Sequence, residues 1–492
     1  MGNKFLEGNF APVSREHTIT DLAVTGRIPE FLDGRYLRNG PNPLSEVDPA
    51  AYHWFMGDGM VHGVRLRDGK AEWYRNRWVR NPAVAAALNG EDASRFCGLD
   101  ALGANTNVIG HAGKTLALVE AGAPIYELTD ELDTVGRCDF DGTLPGGYTA
   151  HPKRDPRTGE LHAVSYFFGM GNKVQYSVID AAGRVRRTVD VEVTGSPMMH
   201  DFSLTENHVV FYDLPVTFNS EMAVAASVPG ALRTPAKLVV SAMVGKIRVP
   251  DPVTAMMARK IGANGGLPYR WDPKYPARIG IMPRAGGNRD VRWFDVEPCY
   301  VFHPLNAYDS VESDDSVVLD VVRHPRMFDR ELHGPDEGGP TLDRWTVDLA
   351  AGKVLEERLD DRGQEFPRVD ERLIGRRHRY GYAMSADGGA DPGGSLFKHD
   401  FHTGSSDERA FGAGRQPGEF VFVPRHDDAG EDDGVLLGFV FDPASQRSDL
   451  TILDAGTLET VAAIHLPDRV PHGFHGNWIA SVAQRPNVAF GA

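Results

Sequence analysis

Cysteine is scarce in this chain. Its 492 residues hold three, Cys97, Cys138 and Cys299, standing far apart. With no Cys-x-x-Cys pair, neither a zinc knuckle nor a disulfide framework is supported, and a reducing cytoplasm is the simplest home. Long apolar runs are also missing, so nothing in the sequence matches the ~20 residues that cross a bilayer. The segment Met1–Gly8 has no apolar stretch of the signal-peptide kind. It also lacks Ser or Thr at position 6, which leaves the myristoylation pattern incomplete. There is no basic stripe. A net charge of −16 argues against general nucleic-acid binding, because phosphates need cations to neutralise them.

What is present is turn chemistry. The chain carries 54 glycines and 33 prolines, and its apolar content of 41% is enough for a substantial core. Length alone suggests two to four domains, a count that one large β-structure replaces. A strand, an Asp-led turn and a second strand recur at Val64–Trp73, Tyr126–Val135, Tyr176–Val185, Trp345–Val354 and Leu450–Val461. Repeated hairpins with no alternating helix pattern favour an all-β propeller over an α/β fold. The repeats are too degenerate to count blades. Residues 221–268 break the pattern, with apolar stretches studded with Lys, Arg and Pro. They read either as a packed cap or as an apolar surface that meets a membrane through 221–260. The tracts Asp387–Gly394 and Asp427–Gly434 read as solvated loops.

Of the 18 histidines, four stand apart from the rest. His475 lies between glycines in Val470–Trp478, where the backbone is free to approach closely. His151, His200 and His303 share its setting: apolar, Gly or Pro neighbours, and a place at the end of a strand-like run. No local His-x-x-x-His motif joins the four. They meet only if the chain returns repeatedly to one axis, as a propeller does. An all-imidazole site suits iron, copper, nickel or zinc rather than magnesium or calcium. Metal-bound histidines usually donate their second ring N–H to a carboxylate or carbonyl. Glu120, Glu365 and Glu419 sit among strand apolar residues, where an unpaired carboxylate is costly.

Seven segments in order, Phe31–Pro43, Gly57–His62, Ala104–Asn107, Thr149–Pro152, Met199–Phe202, His303–Tyr308 and Gly473–Gly476, resemble the carotenoid cleavage oxygenases. The resemblance covers essentially the whole chain and is nearest to actinobacterial carotenoid-cleaving members. It implies one domain over residues 1–492. The implied fold is a seven-bladed β-propeller with a loop or helical dome over one axial Fe(II) per chain. By motif the iron ligands fall on His151, His200, His303 and His475, and the outer glutamates on Glu120, Glu365 and Glu419. The threonine near the vacant coordination position falls on Thr106. Asp309 stands where the family more often has Glu.

The activity so implied is O2-dependent cleavage of a polyene double bond into two carbonyl products. The partners would be an apolar polyene and O2, without nucleic acid, in the cytoplasm or at a membrane surface. Stilbene-cleaving members carry a lysine just before the first outer glutamate, and here that position is Val119. This favours a carotenoid or apocarotenoid over a stilbene. The remaining alternatives are a metal-free propeller that binds apolar ligands and isomerohydrolase chemistry on retinyl esters.

Overall fold

A computed structural model describes residues 2–481 apart from 97, 145, 229, 250–266, 311–314 and 389–390. Seven antiparallel sheets of four to six strands succeed one another along the chain as the blades of a propeller. Blade 2 runs Asn107–His111, Lys114–Leu118, Ile125–Leu128 and Thr134–Cys138. Blades 3 to 6 repeat that meander, opening on Lys153–Arg154, Phe202–Leu204, Pro304–Asp309 and Gln364–Arg368.

The ring is closed twice. Blade 1 pairs Gly34–Pro41 near the N-terminus with Gly476–Ala480 near the C-terminus. Blade 7 takes Ala23–Gly26 as an outer strand beside Thr460–His465. Two separate strand exchanges hold the first and last blades together without any disulfide.

The hairpins follow from turn residues. Asp68 and Gly69 both have positive φ, 49° and 69°, as the tight two-residue turn between Gly59–Arg67 and Lys70–Trp78 requires. Asp180 accepts the backbone N–H of Ala182 at 3.0 Å and Arg184 at 2.8 Å, and Asp348 that of Ala351 at 2.7 Å. In this way Asp side chains close the turns their positions suggested. The turn after Tyr126 departs from this, since Thr129 rather than an aspartate takes the N–H of Asp133.

Burial grades from axis to rim. Gly34–Pro41 is buried throughout, whereas the outer strand Val185–Glu192 alternates between half-buried and exposed up to Asp190 and buries only Val191. Inner strands pack on both faces and outer ones on one, the pattern expected of stacked blades.

Among the described residues of 221–268, two helices, Ser220–Ser227 and Arg233–Met243, lie outside the blade sheets. Val240 and Val244 pack on the core while Leu238, Val239 and Ile247 are exposed, at 71%, 58% and 55%. Residues 250–266 lie outside the described residues. Among the described residues no helix is long and apolar enough to cross a membrane. One expectation fails: Asp387–Gly394 is not simply a loop, because strands Tyr380–Gly388 and Asp391–Asp400 run into it and pair. Residues 389–390, between the two strands, are outside the described set. The second acidic tract is a loop, anchored by an ion pair of Asp432 with Lys398 at 2.7 Å.

Candidate metal centre

All four singled-out histidines precede a strand that lines the propeller axis. His151 stands two residues before Lys153–Arg154 and His200 two before Phe202–Leu204. His303 and His475 directly precede Pro304–Asp309 and Gly476–Ala480. Four blades therefore deliver one imidazole each to one end of the axial channel. One ring nitrogen from each of the four lies within 4.8 Å of the others, a group that could hold a metal ion. Ring centroids are 4.3 Å apart for His151 and His200, 4.6 Å for His151 and His475, and 4.7 Å for His303 and His475.

Close backbone passage puts His475 there. A Cβ on Gly40 would lie 2.7 Å from the Cα of Gly473, so neither position has room for a larger residue. The His475 N–H donates to the carbonyl of Thr106 at 3.0 Å, joining blade 1 to blade 2.

The three glutamates each receive one ring. His200 Nδ1 donates to Glu120 Oε1 at 3.0 Å, His303 Nδ1 to Glu365 Oε2 at 2.7 Å, and His475 Nδ1 to Glu419 Oε1 at 3.0 Å. A ring that donates from Nδ1 presents a lone pair from Nε2. His200 Nε2 and His303 Nε2 then face each other at 3.3 Å, and the buried His151 Nε2 has no hydrogen-bond partner. Opposed lone pairs with no proton between them repel, and a cation among them removes the conflict. The donor set thus fits a metal ion.

The electrostatics agree. Burial, reinforced by the neighbouring rings, pushes His151 well below the usual imidazole range. Burial also lowers His303 despite the opposing pull of Glu365. Both rings therefore favour the neutral state that a metal requires. At His200 burial acts downward, but Glu120, Asp201 and Glu365 together outweigh it and raise the ring. Burial pushes Glu365 up, yet its bonds to His303 and His324 hold it ionised far below the usual carboxylate range.

Thr106 is brought to the same place. Its hydroxyl donates to Asn105 Oδ1 at 3.0 Å, and it lines an apolar pocket of about 110 Å³ with Trp54, Phe55, Val119, Phe302, Phe366 and Phe474. His200, His303 and His475 form part of that wall. On the opposite side lies a polar axial cavity of about 600 Å³, reached by His151, His303 and His475 and bordered by Lys153, Asp201 and Arg368. The cluster therefore separates a greasy chamber from a polar one.

Sequence reasoning overlooked several contributors. His324 Nε2 donates to Glu365 Oε1 at 2.9 Å. Its His-Pro pair, shared with His303, was the available signal. Asp201 Oδ2 lies 3.8 Å from His151 Nδ1 and takes Lys153 Nζ at 2.8 Å, so the one ring without a glutamate faces an aspartate already paired. Phe366, at φ 54°, and Ala121, at φ 59°, follow two of the glutamates in the left-handed region. Non-glycine residues are strained there, a feature that concentrates at functional sites. No sequence signal marks them. Asp309, the departure from the commoner Glu, accepts from Thr205 Oγ1 at 2.9 Å and His208 Nδ1 at 2.8 Å. It ties blade 4 to blade 5 away from the cluster.

Known proteins match along nearly all of the chain. The family model described as retinal pigment epithelial membrane protein, RPE65, aligns with residues 10–480. A carotenoid cleavage oxygenase of Mycobacterium tuberculosis is 60% identical over 487 residues, 97% of each chain. Among solved structures, a lignostilbene dioxygenase of Pseudomonas brassicacearum superposes with a TM-score of 0.81 at 28% identity, covering 97% of this chain and 98% of that one. The cobalt-substituted apocarotenoid oxygenase of Synechocystis follows at 0.78 and 25% identity, covering 96% and 97%. With a propeller, its axial imidazoles and this likeness agreeing, the chain belongs to the retinal pigment epithelial membrane protein family, the family of the carotenoid cleavage oxygenases.

Proposed function

We propose that this chain, acting as a single domain, is a non-haem Fe(II) dioxygenase that splits one double bond of a carotenoid or apocarotenoid. One alkene and one O2 give two carbonyl products, each new C=O taking one oxygen atom. The observation that carries the proposal is the convergence of four imidazoles, three of which are held by glutamates and line an apolar pocket. His151, His200, His303 and His475 would hold the iron. When bound, ferrous iron supplies the electrons that make triplet O2 reactive toward an alkene.

The remaining work falls to the protein. Glu120, Glu365 and Glu419 fix ring orientation and offset the cation's charge from one layer out. Phe302, Phe366, Phe474, Trp54 and Val119 exclude water and give a polyene a surface to lie on. Thr106 restricts what reaches the open side of the cluster. Selection of the cleaved bond then rests on pocket shape, since a polyene offers few polar handles.

A stilbene is the second substrate class, favoured by the fold likeness to a lignostilbene dioxygenase. Val119 counts against it, being a buried aliphatic wall residue where a phenol-holding lysine would stand. The exposed Leu238, Val239 and Ile247, flanked by Arg233, Lys237, Lys246 and Arg248, suit peripheral contact with a membrane that stores such polyenes. The buried thiols of Cys138 and Cys299 accord with the cytoplasmic side.

The test is anaerobic loading with Fe2+, then air, with a carotenoid panel and a hydroxystilbene offered in parallel. Aldehydes of polyene mass are the expected products. Preferred turnover of the hydroxystilbene would transfer the assignment to the second class, and no turnover of either would remove the dioxygenase reading. A second expectation concerns Glu419→Gln. This change keeps the shape but loosens the hold on His475, so metal affinity should fall roughly ten- to hundredfold. An unchanged affinity in a metal titration would show that Glu419 has no such role.

A further inference from the structure

The three outer carboxylates are not supported alike. Glu365 has His324 on its second side. Glu419 also takes the N–H of Gly476 at 2.7 Å, and Arg368 Nη1 lies 3.6 Å from the very oxygen that receives His475. Arg368 further donates to Asn477 Oδ1 at 2.7 Å, the carbonyl of Gly476 at 3.2 Å and Glu371 Oε1 at 3.1 Å. Its side chain is 17% exposed, and that exposure faces the axial cavity. It stands three residues after Glu365, past the irregular pairing between Glu365 and Arg368.

Charge gives this placement a purpose. Three carboxylates around a dication leave one uncompensated negative charge in a region screened from solvent. The Arg368 guanidinium, with the buried Arg38 also acting on Glu419, offsets it, and buried charge that is not balanced is expensive. The guanidinium lies beside the same Glu419 oxygen that accepts the His475 N–H, so it acts on the group that orients that ring.

We propose that Arg368 is a positioning residue that acts through Glu419 to fix the His475 ring and to neutralise the centre. This rests on the metal-centre reading above. The rival role is plain scaffolding, in which Arg368 merely ties down the strand Gly476–Ala480 through Asn477 and the Gly476 carbonyl.

A double-mutant cycle on the full chain separates the two. Wild type, R368Q, E419Q and the double variant are loaded with Co2+. The visible absorption of the bound ion and its rate of loss to a chelator are then read, with melting of the metal-free proteins as the control for folding. R368Q should shift the absorption and speed Co2+ loss roughly three- to tenfold, less than the ten- to hundredfold typical of a directly bonded outer partner. In the E419Q background the same change should matter less than about twofold, because coupled residues are not additive. R368K, which keeps charge but not the planar fork, should recover part of the loss. Fully additive losses, or slower Co2+ release from R368Q, would overturn the proposal. If R368Q does not fold, R368K replaces it in the cycle with the same coupling expected and additivity again decisive. A wild-type chain that binds no Co2+ would instead overturn the metal-centre reading itself.

Discussion

Purified His303→Ala protein should hold less than about a hundredth of the wild-type iron under equal loading, with turnover below detection and an unchanged circular dichroism spectrum. The loss exceeds that for an outer partner, which typically costs ten- to hundredfold in affinity, because a direct ligand disappears and its carboxylate partner is released with it. The fold should survive for local reasons. His303 precedes the strand Pro304–Asp309 and borders the polar axial cavity, so the deleted ring leaves space that water reaches. Glu365 keeps His324 at 2.9 Å and the N–H of Phe366, and so is not stranded as a buried unpaired charge. A second readout follows from linkage. Wild type should gain about 4 kcal/mol from metal at a thousand times its Kd, and the variant almost none. Iron content by elemental analysis and the metal-dependent shift in melting temperature measure both. Full iron occupancy in the variant would sink the four-imidazole assignment.

Much of this centre was legible because its parts obey local rules. An imidazole set between glycine, proline and apolar neighbours at the mouth of a strand has few ordinary reasons to be there, and His151, His200, His303 and His475 all share that setting. A glutamate among strand apolar residues must find a donor, and Glu120, Glu365 and Glu419 each find one. The Asp-led turns were readable for the same reason, since a side chain that bonds its own backbone two residues on acts within one segment. What escaped depends on distant chain meeting distant chain. Nothing local tells that Ala23–Gly26 joins the last blade or that Gly476–Ala480 joins the first. Arg368 and Asp201 look like ordinary charged residues until seven blades are drawn around one axis. The number of blades could not be counted from the hairpins, whose turns differ in chemistry from blade to blade, and came from the family resemblance instead.

Acid should unfold the metal-free protein at a milder pH than its carboxylates alone would suggest. Four buried histidines outside the ligand set are held neutral: His53 and His472 are pushed down to about 3, and His162 and His399 to about 4. Burial is the main cause in each, with Arg38 and Arg469 adding at His472 and Arg284 at His162. Each ring makes a hydrogen bond: with Phe55 N at 3.1 Å, Gln416 Oε1 at 2.8 Å, Tyr176 OH at 2.7 Å and Gln364 Oε1 at 2.7 Å for His53, His472, His162 and His399. Their folded values lie below the ordinary 6.5, so between those limits the unfolded chain binds more protons. Stability is therefore fully present above about pH 6.5 and falls as pH drops toward 4. At pH 5 each ring costs about 2 kcal/mol, and four cost about 8. That is comparable with the whole stability of a typical domain, about 5–15 kcal/mol. Urea titrations of metal-free protein at pH 7.5, 6.5, 5.5 and 5.0 should show that fall, and His53→Gln should flatten it by about one proton's worth. Stability that stayed level from pH 7 to pH 5 would mean that these rings take up protons inside the fold, and the picture of a neutral imidazole framework behind the propeller would have to be abandoned.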